Sequence, residues 1–126
     1  MVEEHPKFGS VGHMELHSSD PERTKAFYAK VFGWKFTDVP AMGYAMIEAP
    51  SPPNGGLRPT EKGEHPGIWS YIHVESVDKA IRSIEGAGGK ILVPRQKIPN
   101  FGWFSVFEAP GGVVQAIWQA APESQR

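Results

Sequence analysis

The chain has 126 residues, no cysteine, and 13 lysines and arginines against 14 aspartates and glutamates. This length suits one domain, and without thiols a disulfide scaffold, a Cys-ligated zinc or iron–sulfur site and a thiol nucleophile are excluded. The charge lacks the basic surplus of nucleic-acid-binding domains, and no apolar run approaches the ~20 residues that span a bilayer. The polar, acidic residues 1–6 are not a secretory signal, so we expect a cytoplasmic protein without nucleic-acid or membrane partners.

Alternating polar and apolar side chains predict a strand over residues 11–17. His13, Glu15 and His17 fall on its polar face, and Leu16 falls on the opposite face. On a strand, four residues span roughly 13 Å, which is too far for His13 and His17 to share one zinc ion. The H-x-x-x-H spacing therefore does not predict the zinc site that it would predict on a helix.

A helix and three strands complete the first half of the chain. Asp20 can cap the helix, Pro21 suits its first turn and Gly33 can end it. The three strands are predicted at 34–39, 44–48 and 55–58. We interpret the Gly-Gly pair at 55–56 as turn glycines and the charged connection at 60–65 as solvated surface.

The second half repeats this order of elements. Residues 68–75 alternate as a strand, and Ser76 can cap a helix. The apolar stripe of that helix consists of Val77, Ile81 and Ile84. Further strands are predicted at 90–93, 103–108 and 113–119, with a turn at 110–112. The prediction is an α+β fold in one domain, 1–126, with two βαβββ modules at about 10–59 and 67–119.

Five short motifs lie on these predicted elements. They are G-H-M-E-L at 12–16, S-D-P-E-R at 19–23, F-Y at 27–28, V-F-G-W at 31–34 and F-E-A-P-G-G at 107–112. Together they resemble the vicinal oxygen chelate superfamily, which contains glyoxalase I, bleomycin-resistance proteins and extradiol dioxygenases. The resemblance implies two βαβββ modules whose curved mixed sheets surround a concave cavity, and it implies a homodimer.

The resemblance also implies four metal-ligand positions. His13 matches the first position, Trp69 and Ala116 match two others, and the fourth lies near 55–58, where there is no carboxylate or imidazole. An indole and a methyl group cannot bind a divalent metal. We therefore expect a small-molecule-binding protein without a metal cofactor. The alternative is a metal-dependent lyase, isomerase or dioxygenase of the same superfamily, in which His13 would bind the metal.

His13 and Glu15 are the candidate catalytic residues. An imidazole can act as a general base, and a nearby carboxylate can tune its pKa or act as the base itself. The alternative for His13 is a partly buried histidine with a structural hydrogen bond, and the alternative for Glu15 is a solvated polar face.

Aromatic side chains indicate where a ligand would bind. Trp69, Tyr71 and His73 share one face of the predicted strand at 68–75, and the other face of this strand meets the second helix. Trp103 lies beside a loop where a cavity mouth is expected. Core packing is the alternative role for the stripe at 69, 71 and 73, and a hydrophobic staple on the loop is the alternative for Trp103. The predicted set of residues in contact with a small planar or apolar molecule is His13, Glu15, Trp69, Tyr71, His73 and Trp103.

Overall fold

The protein, described by a computed structural model over residues 7–122, consists of two compact units. The first unit comprises residues 12–70, and the second comprises residues 7–11 and 71–122. Residues 1–6, in which we predict no secretory signal, lie outside the described residues. Within residues 7–122, no helix has the length and apolar character needed to cross a membrane.

The first unit pairs four strands and places one α-helix on their sheet. Its elements are β1 (Val11–Ser18), α1 (Pro21–Phe32), β2 (Lys35–Val39), a 3₁₀-helix (Pro40–Met42), β3 (Tyr44–Glu48) and β4 (Gly55–Pro59). The strand order is β2-β3-β4-β1, in which β1 and β4 are parallel and the other pairs are antiparallel. The 3₁₀-helix between β2 and β3 is not predicted from the sequence.

The predicted ends of α1 are confirmed. The Asp20 side chain accepts a hydrogen bond from the Arg23 amide at 3.3 Å, and Gly33 ends the helix in the left-handed conformation with φ 73°. The buried core of this unit consists of Leu16, Ala45, Ile47 and Leu57, and Tyr28, Trp34 and Phe36 pack against it. Because strand side chains alternate, the residues between these core positions lie on the face opposite α1.

The second unit repeats this arrangement. Its elements are β5 (Gly67–His73), α2 (Val77–Gly86), β6 (Lys90–Ile98), β7 (Gly102–Glu108) and β8 (Val114–Ala120). The chain passes from the first unit to the second within β5. The strand order is β5-β8-β7-β6, and the parallel pair β5–β8 corresponds to β1–β4 of the first unit. The predicted α+β class and the twofold βαβββ order are confirmed.

The predicted cap and apolar stripe of α2 are also confirmed. The Ser76 hydroxyl accepts a hydrogen bond from the Lys79 amide at 3.2 Å. Val77 of α2 is fully buried with Phe107 and Ile117 of the sheet. The remaining members of the stripe, Ile81 and Ile84, pack against the same cluster.

The interpretation of the Gly-Gly pair at 55–56 as turn glycines is wrong. Gly55 and Gly56 lie inside β4, opposite Met14 and Glu15 in the parallel β1–β4 ladder. A Cβ atom at Gly55 would overlap the carbonyl oxygen of Met14, and one at Gly56 would overlap the Tyr44 hydroxyl. These glycines allow close approach of neighbouring groups, which is their usual role inside a strand.

Candidate functional site

The candidate site lies on the face of the first unit's sheet that points away from α1. We call it the His13 face. Its members on β1, β3 and β4 are His13, Glu15, His17, Tyr44, Met46, Gly56 and Arg58. Trp69 of β5 belongs to the same unit and contacts this face through His17 and Arg58.

Four charged or titratable side chains on this face form one hydrogen-bonded network. His17 Nε2 donates to Glu15 Oε1 at 2.7 Å, and His17 Nδ1 lies 3.2 Å from Glu64 Oε2. Arg58 binds Glu64 with two parallel hydrogen bonds of 2.7 and 2.8 Å, and its Nε donates to Glu15 at 3.3 Å. The His17 ring is buried, and the other three side chains are at least three-quarters covered. This network gives the His13 face a fixed arrangement of charge.

The connection after β4 supplies one member of this network. The Glu64 amide closes a turn by donating to the Glu61 carbonyl at 2.9 Å, and the Glu61 amide donates to Glu64 Oε1 at 2.9 Å. The prediction that residues 60–65 are all solvated surface is therefore wrong for Glu64, whose side chain is only 19% exposed. The reason is the turn after β4, which brings the Glu64 carboxylate back onto the guanidinium of Arg58.

Both carboxylates of the network are held in the charged form. Hydrogen bonding by Arg58 lowers the pKa of Glu64 from its ordinary 4.5 to about 2. Burial opposes ionisation of Glu15, but the hydrogen bond from His17 and the charges of His17 and Arg58 outweigh burial and lower the Glu15 pKa as well. At neutral pH the network therefore contains two carboxylates and one guanidinium.

The lowered pKa of Glu64 predicts an acid-dependent stability. A carboxyl group with a pKa near 2 when folded and near 4.5 when unfolded stabilises the fold fully above pH 5, and this stabilisation disappears as the pH falls towards 2. We expect the free energy of unfolding in urea to decline over this range, and to decline less steeply in Glu64→Gln. Glu61→Gln, an exposed neighbour in the same turn, is the control and should follow the unmodified protein. Parallel curves for all three proteins would contradict the role of Glu64.

His13 forms the second feature of the face, a pair with Tyr44. The Tyr44 hydroxyl lies 3.3 Å from His13 Nε2, and the tyrosine side chain lies over Gly56. Burial lowers the pKa of His13 although Glu15 opposes this, and burial raises the pKa of Tyr44 above its usual range. A neutral imidazole and a protonated phenol are thus available at neutral pH to exchange hydrogen bonds with a ligand.

Tyr44 is absent from the sequence-predicted set, although the sequence contained a signal for it. The residues of β3 alternate, and the buried Ala45 and Ile47 face the α1-side core. This alternation assigns Tyr44 and Met46 to the other face, and Met46 is 48% exposed there. Arg58 and Glu64 carry no comparable local signal, because their pairing depends on the turn that follows β4.

Trp69 packs on the charged network. Its ring meets the His17 ring edge-on with 4.8 Å between centroids, and the guanidinium carbon of Arg58 lies 6.0 Å from its ring centre. The indole is partly buried. Trp69 therefore combines a structural contact with residual exposed surface, and it lies in the same unit as His13 and Glu15.

Tyr71 and His73 belong to the second unit. Tyr71 is buried and lies opposite Ala116 in the β5–β8 ladder. The buried His73 ring stacks on Trp118 with centroids 5.0 Å apart and contacts Phe8 at 5.1 Å. His73 thus has an aromatic packing environment within its own unit.

Trp103 lies on the opposite face of the second unit's sheet from Tyr71 and His73. It packs against the core cluster beneath α2, and the guanidinium carbon of Arg95 lies 6.0 Å from its ring centre. Its outer part lines a cleft of about 230 Å³ that also involves Lys97, Ile98, Asn100, Gly102 and Ala121. The structure does not bring Trp103 onto the same face as the other aromatic candidates of that unit.

The four positions at which the resemblance implies metal ligands do not fit a metal ion. His13 offers an imidazole, but Trp69 and the fully buried Ala116 offer no donor. In β4 the only functional side chain is Arg58, a cation whose nitrogens donate and cannot coordinate. Within residues 7–122, no three His, Asp or Glu side chains converge on a point where they could hold a metal ion.

Solved structures share this fold. A methylmalonyl-CoA epimerase from Mycobacterium tuberculosis superposes with a TM-score of 0.68 and 16% identity, over 95% of this chain and 96% of that one. The Mn(II)-bound glyoxalase from Novosphingobium aromaticivorans superposes with a TM-score of 0.65 and 22% identity, over 89% of this chain and 39% of that one. At these identities the likeness concerns the fold alone.

Sequence relatives extend the comparison. CFP32 of Mycobacterium tuberculosis, which has glyoxylase in its name, is 29% identical over 120 residues, 89% of this chain and 46% of the relative. The anthracycline biosynthesis protein DnrV of Streptomyces peucetius is 26% identical over 129 residues, 88% of this chain and 47% of the relative. The chain thus spans about half the length of these relatives. Residues 10–117 match the Glyoxalase/Bleomycin resistance protein/Dioxygenase superfamily, and the chain belongs to that superfamily, as its motifs predicted.

Proposed function

We propose that this protein binds a small planar or apolar molecule at the His13 face without a metal ion. The observation that carries the proposal is the position of Arg58. Arg58 lies on β4, the strand from which the resemblance implies a metal ligand. Its guanidinium is hydrogen-bonded to Glu15 and Glu64. A fixed cation thus occupies the lone pairs of Glu15 and Glu64 and offsets part of the negative charge that would otherwise attract a divalent ion.

The remaining members of the face provide the contacts that small-molecule sites use. Trp69 supplies partly exposed aromatic surface, and Met46 supplies flexible apolar surface that is 48% exposed. The hydrogen-bonded His13–Tyr44 pair supplies polar groups that can fix a ligand's orientation. Apolar surface with a few polar groups is typical of ligand sites.

The test is binding by protein that has been treated with a chelator. Chelator-treated, dialysed protein should bind a neutral planar probe, 9-anthracenemethanol, and added Mn²⁺, Ni²⁺ or Zn²⁺ should not change its affinity. In Trp69→Ala, loss of aromatic contact should weaken binding by about 1–3 kcal/mol, which is roughly five- to 150-fold in the dissociation constant. Titration calorimetry or quenching of tryptophan fluorescence would measure both effects.

Trp34 provides a matched control for the loss of an indole. It stacks on Tyr28 with centroids 4.7 Å apart, in the core on the α1 side. Trp34→Ala should lower the free energy of unfolding more than Trp69→Ala does, and should leave the affinity unchanged. If Trp69→Ala instead unfolds the protein and shows no effect on binding, the indole is core. If the purified protein retains one divalent ion per chain, the metal-dependent alternative with His13 as ligand replaces the proposal.

A further inference from the structure

We infer that the His13 face selects neutral or positively charged planar ligands and rejects anionic ones. This inference rests on the proposed function and adds the charge class of the ligand to it. The argument depends on how the donors of Arg58 are used, on the balance of charge around them and on the ring that covers them.

Each of the three guanidinium nitrogens of Arg58 already donates to a carboxylate. The guanidinium has five N–H groups. Nε donates to Glu15, Nη1 donates to Glu64 and to the Pro59 carbonyl, and Nη2 donates to Glu64 and lies 3.4 Å from His17 Nδ1. An anionic ligand at this cation would meet the charge of Glu15 and Glu64 and would compete with them for its donors.

The carboxylates of the network outnumber its guanidinium. Glu15 and Glu64 contribute two negative charges, and Arg58 contributes one positive charge. The His17 ring lies between the two carboxylates, with Nε2 2.7 Å from Glu15 Oε1 and Nδ1 3.2 Å from Glu64 Oε2.

The other cations of residues 12–70 do not change this balance. Lys35 lies directly opposite Glu48 across the β2–β3 ladder, and Lys25 of α1 is paired with Glu22 and Asp38. Lys62 lies in the exposed part of the turn, next to Glu61. Arg23 and Lys30 belong to α1, on the other side of the sheet.

Trp69, which packs on the network, also favours a cationic ligand over an anionic one. Trp69 lies against the charged groups and presents an aromatic surface, whose electron-rich face attracts cations and repels anions. A planar cation placed near it would be drawn to Glu15 and Glu64 through a partly dehydrated region, where charges act more strongly than in water. A planar anion would meet the same two carboxylates without an available donor from Arg58.

Three probes with similar tricyclic ring systems and different charge test this inference. They are 9-aminoacridine, which is cationic at neutral pH, the neutral 9-anthracenemethanol and the anionic 9-anthracenecarboxylate. In chelator-treated protein at neutral pH and low salt, we expect the cation to bind about tenfold more tightly than the anion, with the neutral probe between them. The ratio should shrink in 0.5 M salt, because salt screens charge and leaves stacking in place.

Two variants test whether the preference for the cation comes from Glu64. Glu64→Gln removes one negative charge and releases two donors of Arg58, so the preference for the cation should fall by at least threefold and the anion should bind more tightly. Glu61→Gln removes the same charge from an exposed position in the same turn and should leave the preference unchanged. If Glu64→Gln does not fold, Glu15→Gln takes its place in the comparison.

The outcomes separate this inference from the proposed function. Equal binding of the cation and the anion, or equal effects of Glu64→Gln and Glu61→Gln, would overturn the charge selection and leave the binding function standing. Failure of all three probes to bind at millimolar concentration would overturn both. Tighter binding of the anion than of the cation to the unmodified protein would overturn the charge selection alone.

Discussion

Gly55→Ala is expected to lose about 3 kcal/mol of its free energy of unfolding, or to fail to fold. A Cβ atom at this position would overlap the carbonyl oxygen of Met14 on β1. The obstructing atom belongs to the backbone, so no side-chain rotation can relieve the overlap. The parallel strands β1 and β4 would have to separate, and the ladder that positions Glu15 beside Arg58 would be disturbed. Urea denaturation measures the loss.

Gly67 is the matched control for this substitution. It also lies in a strand of the first unit, at the start of β5, but a Cβ atom there would meet open space and its φ is not in the left-handed region. Gly67→Ala should therefore change the free energy of unfolding by less than about 0.5 kcal/mol. Equal stabilities for the two variants would mean that β1 and β4 are not paired in the register described here.

Arg58→Met is expected to cost about 2–4 kcal/mol of the free energy of unfolding. The methionine keeps much of the aliphatic volume, so the loss measures mainly the missing cation. Glu15 and Glu64, whose side chains are 14% and 19% exposed, would face each other and His17 without it. Removing one partner of a buried ion pair is strongly destabilising because an uncompensated charge remains. Combining Arg58→Met with Glu64→Gln should restore part of the lost stability.

Arg95 is the matched control for Arg58. Both arginines pair with a carboxylate, and both have their guanidinium carbon 6.0 Å from the centre of a tryptophan ring. They differ in exposure, because the Arg95 side chain is 47% exposed and its partner Asp78 is 55% exposed. Arg95→Met should cost about 0–1 kcal/mol, as expected for an exposed pair. Equal losses in the two variants would contradict the importance of burial for the Arg58 network.

The sequence predicts the elements of this fold well because their signals are local. Asp20 caps the N-terminus of α1, Gly33 caps its C-terminus, and Ser76 caps the N-terminus of α2. Each cap acts within one turn of its helix. The alternation around His13 and Glu15 likewise places both on one strand face. Each of these signals needs only a few consecutive residues, so it can be read without knowing the rest of the structure.

The features that the sequence does not predict depend on contacts between separate strands and turns. A Gly-Gly pair is equally compatible with a turn and with close strand approach, and only the β1–β4 register identifies Gly55 as the second case. The charge of Glu64 is compatible with solvated surface until the turn brings it to Arg58. For Trp103, the sequence places the ring beside a loop, whereas packing under α2 follows from the β7–β8 register.

The network of Glu15, His17, Arg58 and Glu64 constrains how this chain can change over evolutionary time. Its members come from β1, β4 and the turn after β4, and loss of any one leaves a partly buried charge or polar ring without its partner. Single replacements are therefore costly intermediates, whereas joint replacement by apolar residues or by a different charge arrangement avoids that cost. Selection should act on these four positions as one heritable unit, so descendants of this sequence should keep the whole set or exchange it together.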